Sequence, residues 1–213
     1  MIAGNGYQIL NLCHRQTNCR WREWVEHRFN GALNALSIPA LAAEVIMAIP
    51  HRGATSSSTY FITAGTYNKA NLLQSDRMAG LFCQTLFRYR GAGKLKLHAF
   101  VVMPNHIHLL VTVPEGLTLE RAMQFVKGGF SFEAGKLLGV RSPIWQKSFV
   151  DRRVRDVTEA ERYRNYIHQN PARAGLVDAD TVFVYSSTNP DFEVDDLPQR
   201  LKPDHQSAPL RHR

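Results

Sequence analysis

Residues 95–113 constrain this chain most. Two apolar runs, 95–103 (LKLHAFVVM) and His106–Val113 (HIHLLVTV), are separated only by Pro104 and Asn105. Each run is rich in β-branched and aromatic residues and far shorter than the ~20 residues a membrane helix needs. A proline fixes φ and removes a backbone donor, and an asparagine tolerates turn geometry, so the pair ends one strand and begins the next. The segment is a β-hairpin, and a lone hairpin is at best marginally stable, so other elements must cover it.

Those elements are legible on both sides. After a Pro-, Gly- and Ser-rich loop at 49–58, residues 59–66 (TYFITAGT) alternate as a strand, with Tyr60, Ile62 and Ala64 opposing Phe61 and Thr63. Residues 76–89 place Met78, Leu81, Phe82, Thr85, Leu86 and Tyr89 at helical spacing, with Asp76 expected to cap and Gly91 to terminate. A second helix is expected over 118–138, with Leu119, Ala122, Met123, Val126 and Phe130 on one stripe. Gly128 and Gly129 interrupt it at roughly 1 kcal/mol each relative to Ala, which predicts a bend. A fourth strand at 148–154 and a third helix at 158–170, stopped by Pro171, complete the series.

This order predicts an α+β fold of the ferredoxin-like, split βαβ type: a four-stranded antiparallel sheet with helices on one face, plus an added C-terminal helix bearing tyrosines. Residues 182–186 suggest a small edge strand, and the Pro- and Asp-rich stretch 189–213 suggests a disordered tail. Residues 1–46 read as an N-terminal extension, non-native if Met47 is the true start, which leaves 47–188 as the expected domain.

With 213 residues, 44% hydrophobic and 21% charged, the chain suits one globular domain with tails, which excludes a wholly disordered, collagen-like or disulfide-stapled protein. Cys13, Cys19 and Cys83 lack CxxC spacing, which argues for a reducing, cytoplasmic setting and against a zinc ribbon. No secretory signal or membrane span is expected. The net charge of +8 is concentrated: residues 51–177 carry 18 basic against 8 acidic residues, whereas 178–213 carry 4 against 7. A domain this basic suits a polyanion, nucleic acid above all, although a solvated basic face is the plainer alternative.

The candidate chemistry begins in the hairpin. His106 and His108 are i and i+2 on one strand, so both imidazoles leave the same face, ~6–7 Å apart along the chain. Such a pair can share a divalent ion, or it can be two satisfied structural histidines. The third helix holds Tyr163, Tyr166 and Asn170, and Tyr166 and Asn170 are one turn apart on one face. An amide oxygen there can complete a His, His, Asn metal site, with the phenol aimed at whatever the metal binds. A phenol has an ordinary pKa near ~10 and needs a polarised electrophile, which a metal-bound phosphodiester provides. In the alternative, Tyr166 only packs its ring on the sheet.

The segment from His98 through Met-Pro-Asn-His-Ile-His108-Leu-Leu, with Tyr166-Ile-His-Gln-Asn-Pro-Ala-Arg-Ala-Gly-Leu-Val177, resembles the two motifs of the HUH single-tyrosine transposases. Among these the REP-associated tyrosine transposases are the most similar branch. Lys127-Gly-Gly-Phe-Ser, Pro143-Ile-Trp-Gln-Lys-Ser-Phe149 and Asp151-Arg-Arg-Val-Arg-Asp156 also resemble that family, over residues 59–187. The resemblance implies a domain that binds single-stranded DNA hairpins, uses Mg²⁺ or Mn²⁺, acts as a monomer or homodimer, and cleaves through a 5′-phosphotyrosine link with a free 3′-OH. By position it implies Tyr166 as nucleophile and His106, His108 and Asn170 as metal ligands. Relatives carry Gln at the Asn170 position, one methylene longer.

Arg121, Lys127, Lys147, Arg152, Arg153, Arg155 and Arg173 are expected phosphate contacts, which position DNA without reading its sequence. Trp145 is expected either to stack a base or to pack in the core. A histidine-triad hydrolase is excluded because Leu110 stands where a third histidine is required. A non-catalytic nucleic-acid-binding module and a metal-dependent nuclease without a covalent adduct remain as rival readings.

Overall fold

The computed structural model describes residues 57–199 apart from Ser142, so expectations for 1–46, Met47 and 200–213 lie outside the described residues. β1 (Ser58–Gly65) leads into α1 (Asp76–Gly91). The hairpin β2 (Lys96–Met103) and β3 (His106–Val113) follows, then α2 (Leu119–Leu138), β4 (Val150–Arg153) and α3 (Val157–Arg173). The strands form one antiparallel sheet in the order β2-β3-β1-β4, as the ferredoxin-like reading requires. Among the described residues no helix is long and apolar enough to cross a membrane.

The central strands β1 and β3 are buried on both faces, and their alternation decides what each face meets. Ile62, Leu109 and Phe100 lie in one cross-strand row on the face covered by α1, where Phe87 packs edge-on against Phe100. Phe61 and Leu110 lie in the next row on the opposite face, where α3 sits with Tyr163 flat on Phe61. The predicted stripes of α1 and α2 are buried apart from Tyr89, which is half-buried. The helices are tied together where Glu133 accepts from Thr85 Oγ1 and pairs with Arg88.

The caps differ in detail from expectation. Ser75, not Asp76, caps α1, accepting from the Met78 N–H. α2 runs as one continuous helix through Gly128 and Gly129. The second glycine is a packing requirement, because a Cβ there would overlap the Tyr89 ring, whereas nothing lies near Gly128. α3 begins at Asp156, whose carboxylate accepts from the Glu159 N–H, and continues through Pro171 to Arg173. The proline does not stop it, because its ring joins the buried stripe of Ala160, Tyr163 and Ile167. The last turn closes through Ala174 and Leu176 donating to the Asn170 and Pro171 carbonyls. Gly175, at φ 69°, supplies the left-handed residue that ends the helix.

The stretch after α3 corrects two expectations. Residues 182–186 form no strand, but Val102 donates to Tyr185 and Ser187 to Phe100 along the outer edge of β2. Residues 189–199 are ordered against the domain instead of trailing from it. Phe192 is buried against Phe87 and Phe100, and the Asp195 N–H donates to the Leu97 carbonyl. The Asp195 carboxylate accepts from Arg90 Nε at 2.9 Å, Arg90 Nη2 at 3.0 Å and the Leu97 N–H at 2.7 Å. Low hydrophobicity does not prevent this, because one buried aromatic and one ion pair fasten the short strap to the open sheet edge.

The Arg90 hydrogen bonds hold the Asp195 carboxyl below its ordinary pKa. Its contribution is therefore complete above ~4 and is lost as pH falls through the depressed folded value. Asp195→Ala should cost about 1–3 kcal/mol at pH 7 in urea unfolding, a deficit that shrinks in acid. A variant as stable as wild type at pH 7 would remove the strap from the fold's energetics. Gly128→Ala should gain roughly 0.5–1 kcal/mol, while Gly129→Ala should show no such gain, measured by the same unfolding curves.

Candidate active site

Both histidines leave β3 toward α3, with Ile107 buried on the other face, and their ring centres are 4.7 Å apart. His108 stands directly across from Thr63, whose Oγ1 lies 2.8 Å from His108 Nδ1. His106 stands across from Gly65 on β1 and Met103 on β2, and its Nδ1 lies 2.7 Å from Asn105 Oδ1. A side chain at Gly65 would press on the Gln146 amide, with Oε1 at 3.1 Å from the added Cβ. Neither Nε2 makes a hydrogen bond among the described residues. Burial pushes the His106 pKa down to about 4, and burial with the neighbouring His106 pushes His108 well below its ordinary value. Both rings are therefore neutral near pH 7, as metal-binding imidazoles must be.

The two tyrosines on α3 are sorted by burial. Tyr163 is only 5% exposed, stacked on Phe61 at 4.4 Å, with its hydroxyl donating to Glu159 at 3.5 Å. Its pKa is raised by burial and then by Glu159. Tyr166 is partly exposed, with its ring edge-on to His108 at 5.3 Å and to Phe61 at 5.8 Å. The Arg173 guanidinium lies 5.9 Å from the same ring. The structure thus brings Tyr166, His106 and His108 together. Asn170, also partly exposed, is one turn further along α3.

The profile of the family described as "Transposase IS200 like" matches residues 54–170, more than half of the chain. The chain belongs to the IS200-like transposase family. It is 26% identical over 156 residues to a candidate REP-associated tyrosine transposase of Haemophilus influenzae, covering 65% of this chain and 88% of that one. It is 24% identical over 120 residues to the REP-associated tyrosine transposase of Escherichia coli K12, covering 56% and 69%. Its fold matches a solved REP-associated tyrosine transposase bound to a REP hairpin, with a TM-score of 0.51 and 23% identity over 62% of this chain and 76% of that one.

Within this IS200-like transposase the expected DNA contacts divide into exposed residues and scaffold. Lys147 and Arg155 are exposed, as is Arg173, which also bonds Gln169. Arg121 is exposed but folds over Phe125 and bonds Gln124. Arg152 and Arg153 face opposite sides of the sheet, across from Phe61 and Tyr60 respectively, so only Arg152 shares the histidine face. Lys127 is half-buried and donates to the Gln146 carbonyl at 2.9 Å, with its pKa lowered by burial. Trp145 is 8% exposed, packs edge-on against Phe82 and Phe130, and donates Nε1–H to the Lys127 carbonyl at 3.1 Å. Of the two expectations for Trp145, the packing seen is that of the core.

Sequence reasoning missed Thr63 and Asn105 as partners of the histidines, and Gln146 as the amide beside Gly65. Asn105 lies inside the quoted hairpin motif, and its place beside His106 was the available signal. Thr63 becomes visible only once β1 is paired with β3. Gln146 comes from a loop that no periodicity marks.

The transposase family implies a divalent metal, and the donor set fits one: two neutral imidazoles with both Nδ1 atoms engaged and both Nε2 atoms unengaged among the described residues. Among the described residues no group of three or more His, Cys, Asp or Glu forms. Further ligands must then come from amide oxygens, water or substrate. Between about pH 6.5 and 4 an unfolded chain binds a proton that folded His106 refuses, so His106 destabilises the fold on acidification through that window. An NMR titration of the metal-free protein should place its midpoint near pH 4. A midpoint at 6.5 would contradict the buried environment.

Proposed function

We propose that this chain cleaves and rejoins single-stranded DNA at hairpins through a covalent tyrosine intermediate. The observation that carries the reading is the partly exposed Tyr166 ring edge-on to His108 beside His106, with the second tyrosine withdrawn into the core. A relative of the same fold is bound to a REP hairpin, which makes a hairpin the substrate of choice. Residues 51–177, which contain every strand and α-helix described above, carry 18 basic against 8 acidic residues, as a polyanion substrate demands.

In the proposed reaction Tyr166 Oη attacks the scissile phosphorus and loses its proton. The P–O3′ bond breaks, and the 3′ oxygen takes up a proton as the free 3′-OH. His106 and His108, with Asn170 as the amide ligand, would hold a Mg²⁺ or Mn²⁺ ion, which when bound would supply Lewis-acid polarisation of the scissile phosphate. Phe61 and Tyr163 hold the ring of Tyr166 at the histidine face, and Arg173 sets positive charge beside it. Rejoining is the reverse attack by a 3′-OH on the phosphotyrosine.

Tyr166→Phe should abolish strand cleavage and the protein–DNA adduct on a denaturing gel with a labelled hairpin and Mn²⁺, while hairpin binding persists. An adduct surviving in that variant would move the nucleophile to Tyr163. Cleavage without any adduct in the wild type would favour a metal-dependent nuclease, and binding without cleavage a non-catalytic module. His106→Ala and His108→Ala should each lower Mn²⁺ affinity and cleavage together, with Asn170→Ala milder because water can replace an amide ligand.

A further inference from the structure

We infer that Thr63 and Asn105 are positioning residues that hold His108 and His106 in a single tautomer, hydrogen on Nδ1 and lone pair on Nε2, ready for a divalent cation. A neutral imidazole has one N–H and one lone pair, and the partner of one nitrogen decides the state of the other. Asn105 Oδ1 is only an acceptor, so at 2.7 Å it requires the hydrogen on His106 Nδ1. The Thr63 hydroxyl can give or accept, and only acceptance leaves the His108 Nε2 lone pair for a cation. That last step rests on the metal reading above, whereas the His106 tautomer does not.

Both partners are themselves immobilised. The Asn105 carbonyl accepts from the Thr66 N–H and lies 2.9 Å from the Thr66 hydroxyl, and Thr66 is fully buried. The Pro104 carbonyl accepts from the Leu73 N–H at 2.9 Å, so the hairpin turn is pinned at both residues. Thr63 sits in the middle of the sheet, paired with His108 on one side and Val150 on the other. The hydrogen-bond acceptors are thus in place before any ion arrives, and removing one frees a ring to take the other tautomer. Outer partners of metal-bound histidines typically contribute 10–100-fold to metal affinity.

The test is a long-range ¹H–¹⁵N correlation on the metal-free, full-length protein with ¹⁵N-labelled histidine at pH 7.5, alongside calorimetry with Mn²⁺. Both histidines should appear as the Nδ1–H form. Thr63→Val, which keeps the shape and removes the hydroxyl, should give a tautomer mixture at His108 and Mn²⁺ binding ~10–100-fold weaker, and Thr63→Ser should restore both. Asn105→Ala should act likewise on His106. An Nε2–H form in the wild type overturns the inference, as does unchanged tautomer and Mn²⁺ affinity in Thr63→Val and Asn105→Ala. If the wild type shows the Nδ1–H forms and the variants lose them, but no protein binds Mn²⁺, the positioning role stands and the metal reading of the site fails.

Discussion

The site depends on β3 being hydrogen-bonded on both sides over its whole length. Side chains on a strand alternate with period 2, so a slip of one residue would send both histidines into the α1–α2 layer and Ile107 to the surface of α3. Neither is tolerable, since the row of Ile62, Leu109 and Phe100 would lose its core at the same time. The apolar residues that flank the histidines therefore enforce the register that aims them. This is an inexpensive way to build a precise polar site, because the energy comes from burial that the fold needs anyway.

α3 adds the second half by the same logic at a different period. Ala160, Tyr163, Ile167 and Pro171 are its buried stripe, and Tyr166 is offset from that stripe by one residue. Its ring therefore leans over the sheet without being sealed by it. Tyr163 supplies the reference: stacked on Phe61, it sets how α3 is rotated and so where Tyr166 stands. Two tyrosines three residues apart thus differ in placement, one a bearing surface on Phe61 and the other partly exposed beside His108.

Much of this was legible before any coordinates. The hairpin, the helical stripes of α1 and α2 and the element order follow from periodicity and turn residues, because each is a local signal reinforced by burial. The pairing of His106 with His108 was equally local. What was not legible depends on contacts distant in sequence. Trp145 and Lys127 look like a base-stacking aromatic and a phosphate-binding cation, and only the packing of the Trp145 loop on α2, which carries Lys127, shows the indole bonded to the Lys127 carbonyl and the ammonium to the Gln146 carbonyl. Thr63 meets His108 across 45 residues, and Asp195 meets Arg90 across 105, so neither partner carries a mark of its own. Pro171 misled for the opposite reason: a strong local rule yielded to the burial of its ring.

The strap through Asp195 also bears on how the chain is made. Until Tyr185 and Asp195 have left the ribosome, β2 is an uncovered edge beside an apolar hairpin, the kind of surface on which nascent strands mispair. The segment that protects it is the last described part of the domain to be synthesised, and it is anchored by charge at a distance of about a hundred residues. A ribosome pausing after α3 would thus hold a protein whose four strands and three α-helices are all present but whose sheet is still adhesive. The polar, weakly hydrophobic character of the strap suits that timing, since it does not collapse onto the wrong surface before the arginine on α1 is in place.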